Sequence, residues 1–184
     1  KNYPDNDEDC LYPKNRFGEY SSVFNPGDYN ATGYWPKKLV SINSTFRDAN
    51  SVSYENYPFP DMRFADLLLM YAEALNETKE TPNAEVYTYI DMVRERAGLE
   101  GVVTSWQKYS NQPTKPSTKA GMREIIQRER KIELACEGAY YWDSHRWKTA
   151  QKEQNRLIQG WNVNASELED YYSVTTLYTQ KFTY

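Results

Sequence analysis

The chain has 184 residues, with 22 lysines and arginines against 26 aspartates and glutamates and a net charge of -4 at pH 7. With a pI near 5.2, that balance argues against a nucleic-acid or anionic-membrane binder working through a basic face. Mean hydropathy is -0.90, a value that would point to disorder but for 17 Tyr, 5 Trp and 6 Phe, each able to remove a large area from water.

Residues 1–60 hold much of the proline and glycine, interleaved with tyrosine and asparagine. Asn25-Pro26-Gly27-Asp28 and Ala31-Thr32-Gly33 mark turns, and only Leu39-Val40-Ser41-Ile42 with its flanks has the composition of a strand. Residues 61–150 carry helical spacing. Asp61 is the expected N-cap of a first helix running to about Glu77, with Phe64, Leu67, Leu68, Tyr71, Ala72 and Leu75 along one apolar stripe. Its longest apolar run, Leu67 to Ala72, is far too short to cross a bilayer. Thr81-Pro82 reads as the cap and first-turn proline of a second helix, whose stripe is Val86, Ile90, Val93 and Ala97 and whose stop is Gly98. A polar loop with Pro113 and Pro116 is expected next. Thr118 then caps a third helix bearing Met122, Ile125, Ile126, Ile132 and Cys136, and Gly138 separates it from a fourth, aromatic helix with Tyr141, Trp142 and Trp147. Residues 151–184 finish a helix near Gln159-Gly160 and become β-like through Tyr171-Tyr172-Ser173-Val174-Thr175-Thr176.

The helix pairs, from Met62 to Gly98 and from Thr118 to Ala150, each have a length close to the period of about 34 residues of tetratricopeptide repeats. The expected fold is therefore mainly α, with tetratricopeptide-like helix pairs, long irregular loops and little β structure, all within one domain. Leu68, Tyr71, Ala72, Ile90 and Val93 should be nearly fully buried. Two pairs need capping or further repeats to bury both faces. The chain also shows no initiator Met, signal sequence or lipid-attachment Cys near Lys1. It is thus expected to be a piece of a longer protein, with targeting information elsewhere.

Cys10 and Cys136 would close a long loop if bridged, stabilising the fold by roughly 4–5 kcal/mol. Cys136, on the apolar side of the third helix, reads better as a buried free thiol, and both cysteines are expected to be reduced. With the lone His145 and no close Cys pair, a Cys/His zinc site lacks ligands. Asp5-Asn6-Asp7-Glu8-Asp9 opens like a calcium loop, but Cys10 and Arg16 stand where that loop needs Gly and Glu, so a solvated acidic turn is the reading. No metal and no cofactor are expected. Sequons at Asn30, Asn43, Asn76 and Asn164 are chance matches in an Asn-rich chain.

The run Arg63-Phe64-Ala65-Asp66-Leu67-Leu68-Leu69-Met70-Tyr71-Ala72-Glu73-Ala74-Leu75-Asn76-Glu77 closely resembles the most recognisable segment of the SusD/RagB family, surface glycan-binding lipoproteins of Bacteroidetes. Met92-Val93-Arg94-Glu95-Arg96-Ala97-Gly98-Leu99 is similar to the family's next helix end. Glu129-Arg130-Lys131-Ile132-Glu133-Leu134 with Glu137-Gly138, Trp142-Asp143 and Arg146-Trp147 resembles its third block. The resemblance implies the C-terminal portion of an outer-membrane nutrient-binding lipoprotein that is surface-exposed and touches the membrane only through a lipid anchor outside this chain. Its implied partners are an oligo- or polysaccharide and a SusC-like TonB-dependent transporter. It implies no catalysis and no nucleic acid.

Glu129, Glu133 and Glu137 recur at i, i+4 and i+8, so their Cβ atoms lie about 5–6 Å apart along one face. That is close to the carboxyl separation of about 5–5.5 Å in retaining glycosidases. However, neighbours on one helix point the same way, whereas acid and nucleophile must flank the scissile bond. A structural ion-pair network with Arg94, Arg96 or Arg146 is the expected role. His145 has no nucleophile at a recognisable spacing.

Sugar rings present apolar C–H faces with hydroxyl edges, so aromatic platforms beside Asn, Asp or Arg suit them. Tyr29, Tyr34 and Trp35 cluster in a turn-rich segment with Asn25, Asp28 and Asn30, and Tyr12, Tyr54, Tyr57, Trp106 and Tyr109 also fall in predicted loops. Tyr12, Tyr29, Tyr34, Trp35 and Trp106 are the expected glycan contacts, with residues 1–60 as the ligand-site segment. Tyr71, Trp142 and Trp147, on predicted helices, are the better core candidates. The leading function is glycan binding and delivery to the transporter. A helical-repeat module binding protein through its concave face is the alternative, and a glycoside hydrolase using Glu129 and Glu133 a remote one.

Overall fold

A computed structural model describes residues 15–19, 22, 30–36, 38–39, 41, 43–48, 51–56 and 58–181. Cys10, Tyr12, Asn25 to Tyr29, Tyr57 and the acidic run at Asp5 lie outside the described residues. The chain divides into a helical unit, Pro60–Asp143, and a mixed unit formed by Lys1–Phe59 with Ser144–Tyr184. The architecture is mainly α with little β structure, as expected. Strands β1 (Thr45–Asp48) and β2 (Ser51–Ser53) pair antiparallel. Helices α1 (Phe64–Thr78), α2 (Ala84–Arg96), α3 (Val102–Tyr109), α4 (Lys119–Glu133) and α5 (Ala139–Arg146) follow. Then come α6 (Ala150–Gln154), β3 (Arg156–Trp161), α7 (Leu168–Tyr171) and β4 (Val174–Gln180).

In the helical unit α1 packs on both α2 and α4. The core is Leu68, Leu69 and Ala72 of α1, Val86, Ile90 and Val93 of α2, Val102 of α3, and Met122, Ile125 and Ile126 of α4. A fully buried aliphatic side chain of this size contributes about 1.5–3 kcal/mol, so this cluster dominates the stability of the unit. The buried face of α1 is rotated from the expected stripe: Leu69 is fully buried, while Phe64, Leu67 and Tyr71 are 65%, 50% and 44% exposed. Tyr71 is not a core residue but meets Tyr89 edge-on, with ring centroids 4.7 Å apart. Because α1 is apolar almost all round, its spacing does not by itself select a phase.

The helix caps differ from expectation in instructive ways. Helix α1 starts after Arg63, not Asp61, and Arg63 caps nothing with its side chain; its guanidinium is engaged by α4 instead. Asn83 caps α2, its side-chain oxygen accepting from the Val86 N–H at 3.3 Å, and Pro82 sits just before the cap. Asn is a stronger cap than Thr, and a following proline disfavours helical backbone at Thr81. At the other end Gly98 (φ 74°) turns the chain as expected, with Gly98 N–H on the Glu95 carbonyl and Leu99 N–H on the Arg94 carbonyl, the two bonds of a Schellman motif. Ala97 lies past the last helical residue and is exposed.

Helix α3 occupies the start of the segment expected to be a polar loop. Its residues, Val102-Val103-Thr104-Ser105-Trp106-Gln107-Lys108-Tyr109, are weak helix formers, and Gly101 gives it no side-chain cap. The cap comes from α2: the Asp91 carboxylate accepts the Val102 N–H at 2.6 Å. A Cβ on Gly101 would lie 2.8 Å from that carboxylate, so glycine is needed for the approach. Burial of Val102 then holds the helix in place.

Thr118 caps α4 as expected, accepting from the Gly121 N–H at 3.1 Å. The helix ends at Glu133, where Arg63 Nη2 donates to the Glu133 carbonyl at 2.8 Å. The chain then turns through Leu134 to Gly138, with Cys136 itself left-handed (φ 64°). Cys136 is therefore an exposed free thiol, not a buried helical one, and Ile132 is 61% exposed. In α5 the expected polarity is reversed. Trp142 is 72% exposed and Tyr141 52%, whereas Asp143 is buried, because Arg130 draws the aspartate inward. Trp147 falls just past the helix end.

In the mixed unit, Gln159-Gly160 lies inside β3 rather than at a helix end, since α6 stops at Gln154. Strands β3 and β4 pair antiparallel from Arg156 opposite Gln180 to Trp161 opposite Val174, with an irregularity between Ile158 and Gln159. Tyr171 ends the short α7 and is buried, so the β-like run begins at Val174. Leu39, expected in a strand, sits in a left-handed turn (φ 63°), while Val40 and Ile42 lie outside the described residues. No described helix is long and apolar enough to cross a membrane.

Candidate functional site

Glu129 and Glu133 lie on α4, whereas Glu137 falls in the turn beyond it, so the expected stripe does not stay on one helix; these carboxylates are met by Arg94 and Arg96 of α2 and by Arg63 just before α1. Arg94 pairs with Glu129 and also donates through Nε to the Glu100 carbonyl at 2.9 Å. Arg96 holds Glu133 with contacts of 2.7 and 2.8 Å. Arg63, not singled out by the sequence reading, is the hub: it reaches Glu133 at 2.6 Å and grips both oxygens of Glu137 at 2.7 to 3.1 Å. The Glu137 carboxylate, and behind it Glu133, holds the Arg63 guanidinium firmly protonated against its partial burial. Arg146 lies over the Trp147 ring, 4.9 Å from its centroid. A second buried centre, also missed, is Arg130, which forks onto Asp143 at 2.8 and 3.2 Å and reaches Asp66 at 2.8 Å. These pairs neutralise the carboxylates and tie α1, α2, α4 and α5 together. Charge-assisted, multidentate bonds of this kind position helices.

The aromatic candidates separate. Tyr12 and Tyr29 lie outside the described residues. Trp106 is on α3, not in a loop, and packs against the helical core, with Lys115 Nζ 5.4 Å from its ring centroid. It borders a groove with Leu99, Tyr109, Arg128 and Ile132. Tyr109 is likewise helical, and Tyr54 is 79% exposed. Tyr34 and Trp35 belong to the mixed unit and are 54% and 41% exposed.

Tyr34 is part of a larger aromatic array. Asn30 turns the chain by accepting on its side-chain oxygen from Thr32 N–H at 2.9 Å and Thr32 hydroxyl at 2.6 Å. The turn docks on β3, where Trp161 N–H donates to the Thr32 carbonyl at 3.0 Å. Gly160 makes the docking possible, since a Cβ there would come within 2.5 Å of that carbonyl oxygen. Tyr34 thereby lies 5.3 Å from the Trp161 ring. Trp161 meets Tyr172 edge-on at 5.3 Å, and Tyr172 meets Tyr171 edge-on at 5.2 Å. Beside them runs an open groove of about 380 Å³ bordered by Asn15, Arg16, Glu19, Trp161, Tyr171 and Tyr172. Arg16 and Glu19 are locked together by bonds of 2.6 to 3.0 Å, and Glu19 raises the Arg16 pKa above its ordinary value. The sequence signal for this groove was the aromatic density of 161–172, obscured by reading Gln159-Gly160 as a helix end.

Comparison with known proteins decides the lineage: residues 10–184 match the SusD family. The chain belongs to the SusD family. It is 32% identical over 138 residues to SusD-like protein P2 of Formosa agariphila, covering 75% of this chain and 25% of that protein. A crystallised SusD-like protein of Bacteroides fragilis covers 71% of the chain at 26% identity and a TM-score of 0.51, using 23% of its own length. The solved protein BT4246 covers 82% at 27% identity and a TM-score of 0.63, using 24% of its length. The chain thus spans about a quarter of the SusD-like proteins it matches. The segments that carry the SusD resemblance hold Arg63, Asp66, Arg94, Arg96, Glu129, Arg130, Glu133, Glu137 and Asp143. Those residues form the ion-pair scaffold; the aromatic groove lies elsewhere in the sequence.

Proposed function

We propose that the protein carrying this chain binds an oligo- or polysaccharide at the cell surface and delivers it to a SusC-like TonB-dependent outer-membrane transporter, by binding alone and without bond cleavage. SusD-family membership supports glycan binding in nutrient uptake. Within the chain, the observation that carries the reading is the row Tyr34, Trp161 and Tyr172 beside the polar groups of Arg16 and Glu19. Flat apolar rings next to paired hydrogen-bonding groups match a pyranose, whose C–H face stacks while its hydroxyls bond at the edge. Trp35 is adjacent in sequence and 41% exposed. The arginine grip on Glu129, Glu133 and Glu137 supports a non-catalytic role. The protein is surface-exposed and lipid-anchored outside this chain in this reading, as SusD-like proteins are.

The test is isothermal titration and affinity electrophoresis of the protein against a panel of oligosaccharides, with reducing-sugar release followed in parallel and co-purification with a SusC-like transporter. Binding without sugar release is expected. Release that disappears in Glu133→Gln would establish the hydrolase instead. The outward face of α1, with Phe64, Leu67 and Tyr71 exposed, favours a second, compatible role in which the helical unit presents an apolar face for packing against a protein surface.

A further inference from the structure

Building on the glycan-binding reading, we infer that the groove formed by Asn15, Arg16, Glu19, Trp161, Tyr171 and Tyr172 is a glycan subsite, and that it takes a neutral, hydroxyl-rich segment in preference to a uronic or sulfated one. The first observation is an unsatisfied acceptor. Asn15 is 5% exposed, and its Nδ2 donates to the Asn30 carbonyl and the Tyr171 hydroxyl, each at 3.4 Å. The carbonyl can only accept, so it fixes which way the amide faces. Asn15 Oδ1 is left buried without any donor. A buried acceptor in that state costs free energy, and Asn15 borders the groove. A hydroxyl-bearing ligand offers such donors.

The second observation is the aromatic wall. Tyr172 is 55% exposed and is held edge-on between Trp161 and Tyr171. Its orientation is fixed before any ligand arrives, which lowers the entropy lost on stacking.

The third is charge. Among the described residues bordering the groove the one cation, Arg16, is already paired with Glu19, and Glu167 adds to its field. Glu169 and Asp170 follow on α7, which also supplies Tyr171 to the groove. Among the described residues, the segments bordering the groove therefore set one guanidinium against four carboxylates, those of Glu19, Glu167, Glu169 and Asp170. A carboxylated or sulfated sugar would be repelled there and would find Arg16 occupied. Neutral hydroxyls, by contrast, can donate to the Glu19 oxygens.

The experiment is titration of the full-length protein with neutral oligosaccharides (malto-, xylo- and manno-hexaose) and with anionic ones (alginate and chondroitin sulfate hexasaccharides) at low salt. Tyr172→Ala and Glu19→Gln are measured alongside, with circular dichroism to confirm folding. Expected is binding to a neutral member, weakened about tenfold or more by Tyr172→Ala, by analogy with aromatic stacking on nucleobases. Glu19→Gln, which releases Arg16, should narrow the gap between neutral and anionic ligands. Unchanged neutral binding in a folded Tyr172→Ala protein overturns the subsite while leaving the glycan-binding reading in place. Preferential binding of the anionic ligands overturns the charge argument. Should Tyr172→Ala not fold, an unaltered selectivity in Glu19→Gln overturns the assignment by itself. No binding to any glycan in either set overturns both this inference and the function on which it rests.

Discussion

Replacing Arg130 with methionine is the most informative single perturbation of the helical unit. Its guanidinium side chain is 4% exposed, and the carboxylates it joins differ: Asp143 is 6% exposed and Asp66 22%. Deleting one partner of a buried ion pair costs about 3–5 kcal/mol, mostly because the remaining charge cannot regain its hydration. For a chain of this size each kcal/mol lowers the melting temperature by about 2–4 °C, so Arg130→Met should lose roughly 6–20 °C. The asymmetry in burial sharpens the expectation. Asp66 can turn toward water, whereas Asp143 cannot, so Arg130→Met/Asp143→Leu should recover most of the loss and Arg130→Met/Asp66→Asn little of it. Urea denaturation followed by circular dichroism at constant m-value measures all three. A loss below about 1 kcal/mol, or equal recovery in the two double variants, would refute the view that Asp143 is held inside by Arg130.

Three further outcomes are expected. Glu133→Ala should lower the melting temperature, because both Arg63 and Arg96 lose a partner, while glycan affinity of the folded protein stays unchanged; a drop in affinity at unchanged stability would place Glu133 in the ligand site. Ala72→Trp should cost about 1–3 kcal/mol by overpacking the crossing of α1 with its neighbours, as Ala72 is fully buried, and a melt identical to the parent would mean the phase of α1 is misassigned. Burial, only partly offset by the Val102 N–H, raises the Asp91 carboxyl above its ordinary range. A raised carboxyl weakens the folded state once pH exceeds its folded pKa, and that penalty fades as pH falls through this value toward the unfolded one. Asp91→Asn keeps an acceptor for Val102, so it should be more stable than the parent at pH 7, with the difference shrinking toward acid; a difference constant from pH 7 to pH 3.5 would contradict this.

What was legible in the sequence is what short-range chemistry dictates. Thr118 as a cap, Gly98 as a left-handed stop and the spacing of Val86, Ile90 and Val93 depend on neighbours within a turn or two, so they could be read from residue order. The SusD resemblance was legible for a related reason. Its segments, Arg63 to Glu77, Met92 to Leu99 and Glu129 to Trp147, are contiguous runs in which charged residues recur at helical intervals, and their partners are the same few arginines and carboxylates.

Tertiary structure decided the rest, wherever the deciding partner is distant in sequence. α1 is apolar on nearly every face, so only contact with α2 and α4 selects Leu69 over Leu67 and turns Tyr71 outward. α3 exists because Asp91 caps it from another helix and Val102 has a core to enter. α5 exposes Trp142 and buries Asp143 because a buried guanidinium outweighs hydrophobicity there. The candidate site follows the same logic. Tyr34 was visible as an aromatic in a turn, but its ring partner Trp161, and through it Tyr172 and Tyr171, come from the far end of the chain, where Trp161 N–H donates to the Thr32 carbonyl across a gap that a side chain at Gly160 would fill.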